Sequence, residues 1–236
     1  MAAVTLLEAR GLTRHFDGLK AVDGVDFDLV EGEIHALIGP NGAGKTTFVS
    51  LLSGRIPVQS GTIRLMGRDI TRLPAHARVR AGIAYTFQIT QIYVALSVFD
   101  NVALAAQSRH SRHLTDDAMA ALARVGLDDR AEQVAGTLSY GHQRLLEVAM
   151  GLALRPKLLI LDEPTQGLAR GEIETFKDIV RSVVPEATVL LIEHNMDVVM
   201  DLAQRITVLN FGEVLATGTP AAIRANAAVQ TAYLGG

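Results

Sequence analysis

The chain has 236 residues, 49% of them hydrophobic, which is enough for a substantial core, and its 22 basic and 25 acidic residues leave a formal charge of −3. No Lys/Arg run offers the electrostatic footprint that nucleic-acid binding needs, and the lack of cysteine excludes disulfides and thiolate metal sites. Residues 1–11 carry Glu8 and Arg10 instead of a basic start and an apolar run, so no signal peptide is expected. No apolar stretch approaches the roughly 18 residues that a bilayer span requires.

In chain order, short aliphatic and β-branched runs at 4–7, 25–30, 33–38, 62–66, 82–87, 157–162, 187–193 and 206–210 predict strands. Helix-length segments occupy 44–54, 74–81, 116–125, 139–154, 171–184 and 195–203. This alternation predicts an α/β fold whose parallel sheet is covered by helices. From about residue 88 to 137 there are several helical patterns and no clear strand, which predicts a helical subdomain inserted into the α/β core. No repeat or long Pro/Gly linker divides the chain.

Strand 33–38 runs into Gly39-Pro40-Asn41-Gly42-Ala43-Gly44-Lys45-Thr46, a match to G-x-x-x-x-G-K-[ST] between a strand and a helix. The glycines let the backbone turn sharply and aim its N–H groups inward, where they and the positive helix end hold phosphate oxygens. Lys45 is expected to reach the β- and γ-phosphates and Thr46 to offer its hydroxyl to Mg²⁺. Thr47 is expected at the α-phosphate. A glycine turn that binds nothing is the bland reading of the same residues.

Strand 157–162 ends in Asp162-Glu163-Pro164 at the carboxyl edge of the sheet, where α/β proteins bind ligands. Asp162 can hold Mg²⁺ through water, and Glu163 can polarise water attacking a γ-phosphorus; two acids capping a turn is the alternative. The base-reading N-K-x-D of a GTPase is absent. Leu138-Ser139-Tyr140-Gly141-His142-Gln143-Arg144 opens a helix with apolar positions at Leu145, Val148, Ala149 and Leu152; taken alone, Ser139 reads as an ordinary N-cap.

The phosphate loop, the Ser139–Gly141 segment and the Asp162-Glu163 pair, in that order and spacing, resemble the ABC transporter ATPase family nearly end to end. The resemblance implies an ATP-hydrolysing phosphate-loop core with an N-terminal antiparallel β portion and a helical insertion over about 88–155, in one nucleotide-binding domain. Gln88 in Thr86-Phe87-Gln88 resembles the family's Q-loop glutamine, a Mg²⁺ contact. His194 resembles its switch histidine, and Phe16 lies where an adenine-stacking aromatic is expected. The implied site is composite. ATP and Mg²⁺ rest on Gly39, Asn41, Gly42, Ala43, Gly44, Lys45, Thr46 and Thr47 of one protomer, and Ser139 and Gly141 of a second ATPase subunit close over them. Movement at Gln88 would pass to an integral-membrane permease subunit docked near residues 88–98.

Two places depart from the family pattern. The common Leu-Ser-Gly-Gly-Gln has Tyr140 and His142 at its third and fifth places here, and Ala169 stands where many members have aspartate. His142 could add pH dependence near neutrality if it faces phosphate. The Gln166-Gly167-Leu168-Ala169 loop, residues 192–200 and the ending Ala232-Tyr233-Leu234-Gly235-Gly236 resemble the ATPases of branched-chain amino-acid importers. That likeness implies a homodimer or heterodimer at the cytoplasmic face of the membrane, with two permease subunits, and an extracytoplasmic solute-binding protein acting indirectly. A soluble ABC-type ATPase that remodels a protein or ribonucleoprotein complex is the rival; the paired cassettes, coiled-coil insertions and basic extensions usual there are missing. His110 and His113 lack a metal-binding pattern, and Asp23, Asp26 and Asp28 lack the glycine and terminal glutamate of a calcium loop.

Overall fold

The computed structural model describes residues 4–86, 91–109, 113–184 and 186–234. β1 (Thr5–Phe16) and β2 (Leu19–Val30) form a hairpin, and β3 (Ile34–Ile38) leads into α1 (Lys45–Ser53). β4 (Ser60–Leu65), β5 (Arg68–Asp69), α2 (Ala75–Ala81) and β6 (Ile83–Tyr85) follow. Then come α3 (Val98–Gln107), α4 (Leu114–Arg124), α5 (Tyr140–Ala153), β7 (Leu158–Asp162), α6 (Arg170–Val183) and β8 (Thr188–Ile192). The described chain closes with α7 (Met196–Leu202), β9 (Arg205–Asn210), β10 (Glu213–Gly218), α8 (Pro220–Ala225) and α9 (Ala227–Leu234).

One sheet is antiparallel in the order β2-β1-β4-β5, and the other runs β10-β9-β3-β8-β7-β6 with every pair parallel except the β10 edge. β3, β7 and β8 are buried along their whole length, as their mainly aliphatic runs require of strands covered on both faces, and His35 inside β3 is buried against the Thr207 hydroxyl at 2.8 Å. Helices α3, α4, α5 and α6 cover one face of the parallel sheet with a core that includes Val102, Leu146 and Phe176. On the other face α1 and the antiparallel sheet enclose Phe48, Leu52, Phe27 and Leu65. A smaller cluster around Ile38, Val199 and Val208 lies under α7, α8 and α9.

The first two strands are longer than the expected 4–7 and 25–30. Glu8, Arg10 and Gly11 interrupt the apolar run of β1, yet pairing continues through register shifts between Ala9 and Leu12 and again near Arg14. Arg10 is held on the sheet by pairing with Glu8 and Asp28, both at 2.8 Å, contacts that outweigh its partial desolvation. The two-residue β5 and the half-exposed β10 offer too few apolar residues to stand out; α3 falls within the helical stretch expected over 88–137, while α8 and α9 fall outside the helices expected.

Candidate nucleotide site

Register places the chemistry. Leu37 of β3 and Asp162 of β7 both pair with Ile192 of β8, so the carboxyl ends of three buried strands stop level with one another. The phosphate loop leaves one end, the Asp162-Glu163 pair another, and His194 follows two residues after the third.

The loop passes from Ile38 through residues 39–44 into α1, whose N-cap Gly44 sits at φ 99°. A Cβ at Gly44 would lie 2.1 Å from the Ala21 carbonyl oxygen, and one at Gly39 would lie 2.2 Å from that of Leu209, so glycine is required at both for close backbone approach. Lys45 is buried, and its Nζ donates to the carbonyls of Gly39 at 2.6 Å and Pro40 at 3.0 Å, arching back over the loop. Burial lowers its pKa, while the charges of Glu163 and Asp162 oppose that shift. Asn41, Gly42 and Thr46 are exposed, Thr47 is half-buried and Ala43 is buried.

Asp162 is buried, and burial raises its pKa; a 2.5 Å hydrogen bond from the Tyr85 hydroxyl opposes the rise. Burial and the carboxylate raise the Tyr85 phenol in turn, and Arg55 lies 5.1 Å from its ring. Glu163 adopts φ 48°, a costly conformation for a non-glycine residue, held by its N–H to Ile192 O at 2.9 Å and by Arg144 Nη2 to its own carbonyl at 2.9 Å. Its carboxylate lies 3.3 Å from His194 Nδ1.

Sequence reasoning missed three supports of this edge. Tyr85 is one, and Arg144 is another: fully buried, it also pairs with Glu147 at 3.0 Å. The third is Glu193, 2% exposed, whose carboxylate accepts from Thr165 N at 2.9 Å, Thr165 Oγ1 at 2.5 Å, His194 N at 3.1 Å and Asn195 N at 3.2 Å. It ties the loop after β7 to the loop after β8. An acid closing a wholly apolar strand was the available signal, since such a charge needs several donors to be buried.

Ser139 is the N-cap of α5, accepting from His142 N at 3.3 Å, and its Oγ lies 3.1 Å from His142 Nδ1. Ser139 and Tyr140 face solvent. Among the described residues, no hydrogen bond or ion pair joins Ser139 or Gly141 to the phosphate loop of the same chain. Gly141 is packed so closely that a Cβ would lie 2.2 Å from Glu172 Oε1. Phe16 is 39% exposed at the end of β1, and the Arg14 guanidinium lies 4.7 Å from its ring centroid. Gln88 lies outside the described residues, as does His110.

The edge gathers a glycine-rich stretch of backbone, one lysine, hydroxyls at a helix N-terminus and two carboxylates. The model of the ABC transporter family matches residues 22–166, and that of the branched-chain amino acid ATP-binding cassette transporter family matches residues 213–236. The chain belongs to the ABC transporter ATP-binding family. The cassette is 40% identical over 250 residues to the high-affinity branched-chain amino acid transport ATP-binding protein BraF of Pseudomonas aeruginosa, covering 98% of each chain. To the protein LivG of Escherichia coli, described in the same words, it is 37% identical over 249 residues, again with 98% of each covered. Its fold matches a nucleotide-free cassette from an ABC transporter with a TM-score of 0.89 at 25% identity, covering 98% of this chain and 99% of that one. An ABC transporter cassette in its ADP conformation matches equally, with a TM-score of 0.89, 25% identity and coverage of 99% and 100%. The cassette is thus an ATP-binding, ATP-hydrolysing member of this family, and no helix among its described residues is long and apolar enough to cross a membrane.

Proposed function

We propose that this cassette hydrolyses ATP at the cytoplasmic face of the membrane and, bound to integral-membrane permease subunits, drives import of branched-chain amino acids or closely related solutes supplied by an extracytoplasmic binding protein. The observation that carries the solute class is the match of residues 213–236 to the branched-chain transporter family. Likeness to BraF and LivG along nearly the whole chain supports it. Residues 1–236 are read as one nucleotide-binding domain with a helical subdomain over about 88–155, which contains the exposed Tyr93 and Val94 near the proposed permease contact.

In this reading Gly39, Asn41, Gly42, Ala43 and Gly44 present backbone to the phosphates, Lys45 swings from the Gly39 carbonyl to the β- and γ-phosphates, and Thr47 meets the α-phosphate. Thr46 and Asp162 offer only oxygen donors, the kind Mg²⁺ takes together with substrate phosphates, and Gln88 completes that set. Bound Mg²⁺ would neutralise charge developing on the transferred phosphoryl group. Glu163 orients the attacking water and takes its proton, with His194 held against its carboxylate. Phe16 stacks on adenine while Arg14 lies against the ring. Ser139 and Gly141, at the N-terminus of α5 on a second ATPase subunit of the same or a different sequence, close over the γ-phosphate.

Phosphate release by the purified cassette tests the hydrolytic half: Lys45→Ala should lower it by about 100-fold or more, the scale of losing one fixed donor to developing charge. Uptake of labelled leucine, isoleucine and valine into vesicles holding the cassette with its permease subunits tests the solute class. Uptake lost with Glu163→Gln supports the reading. ATP-driven uptake of an unrelated solute, with these three amino acids excluded, would reassign it.

A further inference from the structure

The last described helix comes back to the phosphate loop. A cleft of about 270 Å³ is lined by Pro40, Gly42 and Ala43 of the loop, by Thr231 and Ala232 of α9, and by Phe211. The turn carrying Phe211 is itself bonded to the loop, since Gly212 N donates to Ala43 O at 3.0 Å. One face of α9 is anchored, with Val229 buried and Tyr233 packed against the cluster that contains Ala36, Ile38 and Val208. Those three residues lie on β3, which delivers the loop, and on β9 beside it.

The Tyr233 ring is only half-buried, yet its hydroxyl oxygen is removed from solvent and meets no described partner in hydrogen-bond geometry. Burial pushes the phenol up to about 12, and the neighbouring Gly39 backbone opposes that rise. A phenylalanine would fill the same space without leaving a buried hydroxyl unsatisfied, which costs stability. The polar atom therefore points to a task at its neighbour, and that neighbour is the first glycine of the phosphate loop, the residue that already abuts Leu209 O on the opposite side.

We propose that α9 braces the phosphate loop and that Tyr233 is a positioning residue, its hydroxyl setting the Gly39 backbone so that the loop grips the phosphates of the nucleotide. The brace rests on the reading of residues 39–47 as the phosphate site. It assigns to residues 227–234 a role in nucleotide affinity that neither the catalytic carboxylates nor the solute class requires. Because the hydroxyl lies beside the first glycine of the loop and not at the reacting atoms, its loss should weaken ATP binding while leaving the chemical step at saturation nearly intact.

The test uses the full chain and Tyr233→Phe, which keeps the ring and its packing, with removal of residues 227–236 as the larger variant. ATP and adenosine affinities, KM, kcat and Tm are measured for each. The expected result for Tyr233→Phe is a 3- to 10-fold rise in Kd and KM for ATP, with adenosine affinity and kcat unchanged and Tm no lower than that of the unaltered chain; removal of the helix should exceed that rise. An unchanged Kd for ATP in Tyr233→Phe, or a loss shared equally by adenosine, would overturn the brace. Lys45→Ala measured alongside separates the two readings. If Lys45→Ala loses ATP affinity and Tyr233→Phe does not, only the brace fails; if Lys45→Ala keeps it, the phosphate site itself is misassigned.

Discussion

Asp162 shows how function is held against stability at a single residue. Its carboxyl is buried, and burial raises its pKa above the unfolded value, so folding favours the protonated form. For an acid raised in this way, the stabilising contribution is complete below the unfolded pKa and is lost as pH rises through the folded one. Asp162→Asn retains an acceptor for the Tyr85 hydroxyl and removes that dependence. At pH 7–8 the Asn variant should therefore melt above the wild type, with the gap closing as pH falls into the carboxyl range, while phosphate release is lost. Calorimetry across pH checks the first half and a phosphate assay the second. Gly44 is constrained by space instead of charge: Gly44→Ala puts a methyl 2.1 Å from Ala21 O at φ 99° and should abolish nucleotide binding, read by titration with ATP.

At the scale of elements, α1 is held at its C-terminal end by a side chain that satisfies carbonyls the helix leaves open. Its C-terminal carbonyls at Leu51 and Leu52 accept from Arg78 Nη1 at 2.5 and 2.8 Å, and the same buried guanidinium donates to Leu73 O at 2.9 Å and Thr71 O at 2.8 Å. Burial lowers the Arg78 pKa to about 10, still charged at neutral pH. Arg78→Ala removes a donor from four carbonyls, of which Leu51 O keeps the Gly54 N–H, and should cost about 3 kcal/mol in a urea denaturation series, since each charge-assisted bond is worth about 1.5–3 kcal/mol and they are not additive. Leu190→Ala in the wholly buried β8 should cost about 2–5 kcal/mol by opening a cavity. The second change acts on the sheet and the first on the helix that presents Lys45, so Arg78→Ala should also raise KM for ATP.

For the whole molecule, the decisive geometry is that the groups proposed for hydrolysis gather at one sheet edge while Ser139 caps the exposed N-terminal end of α5. Removing the carboxylate proposed to polarise water should trap the closed state. Light scattering of Glu163→Gln in Mg-ATP is expected to show a shift from monomer to dimer, and Ser139→Ala added to it should reverse the shift without removing ATP from the monomer. A shift that survives loss of Ser139 would place the second subunit's contact elsewhere.

What the sequence by itself determined is contiguous: the glycine loop with Lys45 and Thr46, the Asp162-Glu163 pair after an unbroken aliphatic strand, and Ser139 before a helix. Each is a local pattern of residues a few positions apart, so spacing alone makes the proposed chemistry legible. The tertiary structure decided the rest. Tyr85 reaches Asp162 across 77 positions because β6 and β7 pair in parallel, Thr165 reaches Glu193 across 28, and the oxygen of Tyr233 comes to rest beside Gly39. Strands 5–16 and 19–30 were likewise only half legible, because their polar residues are satisfied by partners on the neighbouring strand and not by any rhythm of their own. Register and crossover fix such contacts, and neither is written in any single stretch of chain.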